Sequence, residues 1–472
     1  MKIRKIHVLL AMAMTASSNL SAQPESSPDI AVLRQEIQQM RNEYETRIAD
    51  LESRLDAAEK VAMQAEASAQ TAQEQAQQAS QLAVESSQQA AAPALDSTAS
   101  SISVSPDNSF NPSIGVIFQG QAWAFANDPE EHSIPGFPLG GEAGLPSEGF
   151  SLGETEINIA ANVDDKFTAK LTVPIAVEDG EVEVELEEAW VETLRLPAGL
   201  SLRMGRFFSE IGYLNSVHAH AWDFADQPLA YDAFLGGQFL DDGLQMRWLA
   251  PTDFYLQLGA ELLRGDHYPA AGAGNSGMGA WSLNAKTGGD IGFSNSWLAG
   301  LSYLAAESEE RPSGDEDDPL LFNGDSELWI ADFLWKWAPN GNSRERNFKL
   351  QGEYLYRTED GEYALPGSDY SPWDENQQGW YVQAVFQPFA QWRFGARVDT
   401  LSGDVPGDQW LDTALYPMGS DPRRYSLMVD WSNSEFSRLR LQYNRDESGL
   451  QDDDQFGLQY IYSIGAHGAH SF

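Results

Sequence analysis

The chain has 472 residues, 71 acidic against 29 basic, a formal net charge of −42 and no cysteine. So acidic a surface disfavours nucleic acid and bare anionic lipid and favours cations, and the lack of cysteine excludes a disulfide framework and a thiolate metal site. Mean hydropathy is −0.40, with no apolar run beyond the N-terminus long enough for a membrane helix. That leaves room for a barrel, whose strands show lipid only at every second residue.

Residues 1–22 carry Lys2, Arg4 and Lys5, an apolar run from Val8 to Met14, and Leu20-Ser21-Ala22. This pattern predicts a secretory signal peptide cut after Ala22. Residues 23–90 then read as an α-helical coiled coil on the periplasmic side. Ile30, Leu33, Ile37, Met40 and Tyr44 keep a 3–4 seam, which slips by four and resumes at Ile48, Leu51 and Leu55 before alanines take it over to Ala83. Residues 91–110, with Pro93, Pro106 and many serines, read as a linker.

From 111 to 472 the chain is a succession of short segments with period-2 alternation. In the clearest, Leu439, Leu441 and Tyr443 fall on one side and Arg438, Arg440, Gln442 and Asn444 on the other. Short turns at 164–165, 251–253, 293–295, 389–390 and 432–435 alternate with long connections at 126–150, 265–278, 308–326, 359–377 and 402–422. The expected fold is all-β: a transmembrane antiparallel β-barrel of about sixteen strands, with both termini on the short-turn side. Trp190, Trp248, Trp297, Trp335, Trp337, Trp380, Trp392 and Trp431 stand toward strand ends, where they suit the membrane interfaces. The alternation breaks phase in the fourth strand, and a bulge near Glu187-Glu188 would restore its lipid face.

The polar parity supplies the expected pore lining. Lys170, Arg203, Arg247 and Glu261 come from the earlier strands; Lys349, Glu353, Arg357, Arg393, Arg397, Arg438 and Arg440 come from the later ones. Arg393, Arg397, Arg438 and Arg440 form an arginine-rich wall that either draws anions or pairs with neighbouring carboxylates as scaffolding. The acidic stretches around 309–318, 359–375 and 452–454 read as solvated extracellular loops, able at most to hold loosely bound Ca²⁺ or Mg²⁺. The connection from Phe207 to Asp242 is too aromatic for a loop in water and is expected to fold inward as a constriction. Its candidate residues are His218, His220, Trp222, Asp223, Asp226 and Tyr231. His218 and His220, with Asp223 and Asp226, are candidate metal ligands, although imidazoles bonded to the wall are the favoured reading and no metal is assigned. No nucleotide-binding loop, zinc-protease motif or nucleophile elbow occurs, so neither catalytic residues nor a cofactor are expected.

Two stretches, Arg206 to Asp226 (RFFSEIGYLNSVHAHAWDFAD) and Gly279 to Gly292 (GAWSLNAKTGGDIG), carry a family resemblance. The chain resembles Gram-negative outer-membrane porins, in the broad group that includes the phosphate-selective porins. It is most similar to proteins labelled zinc-regulated TonB-dependent outer membrane receptors. The resemblance implies sixteen strands, a homotrimer, and a third loop folded into the pore, which by order is 207–242. That loop has no lysine or arginine after Arg206, so no strong phosphate preference is expected. TonB-dependent receptors carry a globular plug where this chain offers a coiled coil and a linker, so the channel assignment is carried over and the energised-receptor label is not.

The expected function is passive diffusion of small hydrophilic solutes or ions through a porin. It would sit in the outer membrane of a Gram-negative bacterium, among lipid and lipopolysaccharide. One alternative is an envelope-tethering protein whose coiled coil reaches peptidoglycan. Another is a specific uptake channel for a ligand such as a metal ion.

Overall fold

The computed structural model describes residues 112–178, 181–271, 278–315, 317–419 and 421–465. The segments read as signal peptide, coiled coil and linker lie outside them. Along the described chain run β1 (Ser113–Ala124), β2 (Gly149–Leu152), β3 (Thr155–Asn162), β4 (Phe167–Glu178), β5 (Glu181–Val184), β6 (Glu188–Thr193), β7 (Leu200–Phe208), β8 (Leu240–Leu249) and β9 (Tyr255–Leu263). They continue as β10 (Ala280–Ile291), β11 (Asn295–Ser313), β12 (Leu320–Trp337), β13 (Asn347–Ala364), β14 (Ser371–Phe389), β15 (Trp392–Gly403), β16 (Arg423–Ser434), β17 (Ser437–Asp446) and β18 (Asp453–Gly465).

Every pairing is antiparallel, and the sheet closes where β1 meets β18, from Gly115 opposite Gly465 to Ala124 opposite Phe456. β2 and β3 both pair with β1, and β5 and β6 both pair with β4. Each couple is therefore one stave with a break in it, and the 18 segments make a barrel of sixteen staves. Closure leaves no open edge, the condition for placing backbone in lipid.

The alternation puts Leu441, Phe456, Leu458, Tyr460 and Ile464 on the outside, and Arg440, Gln442, Asn444 and Gln459 on the inside. Trp380 and Trp392 face outward as expected. Trp190 does not: it points inward, under the Arg203 guanidinium at 4.1 Å, with its indole N–H donating to Glu188 at 2.9 Å. The cause is the phase break. Val182, Val184 and Leu186 face out, the chain leaves the ladder between β5 and β6, and Val191 faces out on the opposite parity. Across from the restart, Gly205 has φ 128°, and a Cβ there would lie 2.1 Å from the Ala189 carbonyl oxygen.

The connections read as long acidic loops at 308–326 and 359–377 are mostly strand. β11 to β14 run 18 or 19 residues each, well beyond the roughly 9–11 that cross a bilayer. They stand above the membrane because they share an apolar cluster of Leu320, Phe322, Tyr363, Trp373, Trp410 and Leu415. Below it Arg311 and Glu359 form a buried pair at 2.7 Å. Labelling tests the resulting topology. A cysteine at exposed Asp317 should react with an impermeant reagent on intact cells, and one at exposed Thr252 should not; reaction at Thr252 alone would invert the barrel.

Candidate functional site

Between β7 and β8 the chain leaves the wall and folds into the barrel. Its two feet are clamped by Asn215, whose amide donates to the carbonyls of Ser209 and Phe239 at 2.8 Å and accepts from the Phe239 N–H at 2.7 Å. The excursion contains one helix, α1 (Leu229–Leu235), which follows Pro228 and ends at Gly236 in the left-handed region. Six of the seven helix residues are buried, the pattern of a helix enclosed on all sides. Tyr231 and Phe234 pack with Leu304, Leu328, Ile330, Leu355, Tyr381 and Leu401 of the wall.

Polar contacts then fix the segment at named points. Asp223 receives Lys349 and Arg393, each at 2.9 Å. Asp226 receives Arg397 at 2.9 Å, Arg424 at 3.3 Å and the Asn444 amide at 2.9 Å. Arg440 donates to the Trp222 carbonyl at 2.6 Å and Arg357 to the Ala233 carbonyl at 3.2 Å. Glu353 accepts the N–H groups of Tyr213 and Leu214 and the hydroxyls of Tyr231 and Tyr381. Glu261 accepts the Glu210 N–H and the Ser282 hydroxyl. Each of these charges thus meets partners that offset its desolvation.

The side chains expected to line the pore do face the interior, but they divide into two kinds. Glu261, Glu353, Arg357, Arg397 and Arg440 are sealed beneath the inward segment. Lys349, Arg393 and Arg438 border a vestibule of about 1460 Å³ that opens among the short turns. Arg203 pairs with Glu192 at 2.8 Å and Arg247 with Glu210 at 3.1 Å. On the long-connection side a smaller cavity of about 400 Å³ is lined by Glu142, Glu154, Glu185 and Glu187 together with Arg206 and His267.

The grouping of both histidines with Asp223 and Asp226 is corrected. Those aspartates are held by lysine and arginine, while His218 and His220 turn to the opposite wall and meet Glu156, Glu187 and Glu188. Lys170 completes that cluster with an ion pair to Glu188. Sequence reasoning also missed the cover of the outer mouth. Phe137 packs on Phe234 with ring centroids 6.0 Å apart, and the Gly136 N–H donates to the Ala414 carbonyl at 2.8 Å. Ile134, Phe137 and Trp410, apolar residues inside long connections, were the available signal.

One group of α1 gives a pH test. Burial pushes the Asp232 carboxyl up to about 7, against the pull of the Arg424 guanidinium 3.9 Å away. The fold favours the protonated form, so this contribution is complete below the carboxyl's ordinary value and is lost as pH rises through about 7. Thermal resistance of the barrel should therefore fall between about pH 4 and pH 7 and level off above, and Asp232→Asn should fall less. Equal losses in the two proteins would contradict this.

A closed sixteen-stave barrel with an apolar exterior and a charged interior is an outer-membrane β-barrel protein; no helix among the described residues is long and apolar enough to cross a membrane. No family model matches the chain. It is 32% identical over 346 residues to an uncharacterized protein of Aquifex aeolicus (strain VF5), covering 69% of this chain and 70% of the relative, and it belongs to that protein's family. Among solved structures it is similar to the outer membrane channel DcaP of Acinetobacter baumannii, with TM-score 0.48, 12% identity, and coverage of 76% of this chain and 99% of that one. It is also similar to OmpT of Vibrio cholerae (0.47, 10%, 77% and 100%) and to the anion-selective porin from Comamonas acidovorans (0.47, 7%, 75% and 100%).

Proposed function

We propose that the protein is a porin that lets small hydrophilic solutes or ions diffuse passively across the outer membrane, without a chemical step. The observation that carries this reading is the inward segment. A barrel serving only as an anchor has no need of a charged interior, or of an excursion pinned to it by Asp223 and Asp226 between two water-accessible cavities. The pins hold the segment as a constriction rather than a waving loop. Liposomes containing the purified protein should swell in small sugars and stop swelling as solute size increases; no swelling in any solute would refute the channel.

The same proposal includes a homotrimer, supported by the heptad seam of residues 30–83 on the sequence. Its test is the mass of the native oligomer in mild detergent, and a monomer would overturn it. Weak Ca²⁺ or Mg²⁺ binding at exposed carboxylates such as Asp317 and Asp318 belongs with it.

A further inference from the structure

The break between β5 and β6 does more than restore the lipid face. In an unbroken strand neighbouring residues point to opposite faces, yet Glu187 and Glu188 are both buried against the same histidine. His218 Nε2 lies 2.9 Å from Glu188, while Nδ1 lies 3.3 Å from Glu187 and 3.5 Å from Glu156. His220 Nδ1 lies 2.6 Å from the other oxygen of Glu156, and the two imidazoles stack with centroids 5.6 Å apart. The donor atoms of Glu156, His218 and His220 all fall within 4.8 Å of one another.

Two further observations point to a ligand. Glu187 is 7% exposed, and its Oε2 meets His218 Nδ1 only in a loose contact at 3.3 Å, neither buried atom making a well-formed hydrogen bond. Buried polar atoms are ordinarily better satisfied than this, so the loose contact leaves a carboxylate oxygen and a ring nitrogen available to a shared ligand. The charges agree. Glu156, Glu187 and Glu188 set three carboxylates around the two imidazoles against the one ammonium of Lys170, so the cluster draws positive charge.

We propose that Glu156, His218 Nδ1 and His220 Nδ1 bind a divalent transition-metal ion of the Zn²⁺ type, with Glu187 beside the open coordination position. Zinc takes imidazole nitrogen and carboxylate oxygen at about 2.0–2.2 Å, so neighbouring ligands stand roughly 3.3–3.5 Å apart, the separation of His218 Nδ1 from both carboxylates. The shorter contact between Glu156 and His220 opens as the ion enters. Glu188 accepting from His218 Nε2–H is the outer carboxylate that fixes the tautomer leaving Nδ1 free. Lys170 also lies 2.8 Å from Nε2, and as the ion takes Nδ1 its ammonium turns wholly to Glu188. Two imidazoles select against Ca²⁺ and Mg²⁺, which prefer an all-oxygen shell.

The site lies between the two cavities. Glu187 lines the acidic one on the long-connection side, and His220 lines the vestibule among the short turns. An ion gathered by Glu142, Glu154 and Glu185 would pass through the histidine pair to reach the other side. This placement rests on the channel reading; the binding itself does not.

The test uses the full-length protein in detergent, stripped with a chelator and titrated with Zn²⁺, and with Co²⁺ for its visible absorption. About one ion per chain should bind, with the intense bands of a tetrahedral nitrogen and oxygen site, and excess Ca²⁺ should not displace it. His218→Ala, His220→Ala and the near-isosteric Glu156→Gln should each weaken binding at least about tenfold. Absence of stoichiometric Zn²⁺ binding overturns the proposal, as does unchanged affinity in Glu156→Gln, whose shape preserves the packing. Zn²⁺ should also reduce ion current in the wild type and leave His220→Ala unaffected. Binding with an undisturbed current removes the site from the path, and binding by a barrel that never conducts refutes the channel while keeping the site.

Discussion

Replacing residues 216–237 with a short Gly-Ser linker is expected to raise single-channel conductance several-fold. The replacement is sterically possible because the feet of the excursion already touch: the Gln238 amide donates to the Asn215 carbonyl at 2.7 Å. What it removes is the apolar plug formed by Trp222, Phe224, Tyr231 and Phe234, all buried against the wall. The wall charges left behind, Arg397 and Arg424, keep Asp399 and Asp446 as partners and gain water. The barrel should therefore close as before around a wider passage. Unchanged conductance in a correctly folded variant would mean that the segment does not set the width of the path.

Arg440→Gln and Arg438→Gln should behave oppositely, although the two residues share one strand face. Arg440 is fully buried; it pairs with Asp430 at 2.9 Å and bonds Gln459 and the Trp222 carbonyl. Removing one member of a buried pair costs about 3–5 kcal/mol, so Arg440→Gln should sharply lower the temperature at which the folded barrel is lost. Arg438 donates to the His220 carbonyl but also borders the open vestibule, where water can replace it, so its loss should cost much less stability while moving ion preference toward cations. A stable Arg440→Gln barrel with strongly altered selectivity would mean that the arginine wall is wet.

These variants show where the sequence was legible. Period-2 alternation requires only that one face meet lipid and the other not, so the sixteen staves, the closure and the inward Phe207–Asp242 excursion could be read from residue order. The phase break near Glu187 was equally visible, because two consecutive strand glutamates disrupt the pattern on any register. Which charges pair across the interior was not visible. Asp223 meets Lys349 and Arg393 because of the path the loop takes inside, which depends on the packing of α1 and not on spacing. For the same reason Glu156 could not be joined to His220, 64 residues away. The acidic outer stretches misled because charge suggests loop, whereas the alternate residues Phe322, Tyr363 and Trp373 were building a second cluster beyond the membrane.

Water and ions are expected to pass through this barrel beside the pinned segment. The most direct measurement is the current through the full-length protein inserted singly into a planar bilayer, at several KCl concentrations. Discrete conductance steps are expected, with a modest cation preference at low salt drifting toward neutrality at high salt. The −42 net charge acts from a distance, and its screening length shrinks from about 30 Å at 0.01 M to about 3 Å at 1 M. Correctly folded barrels that insert and give no steps would contradict the account.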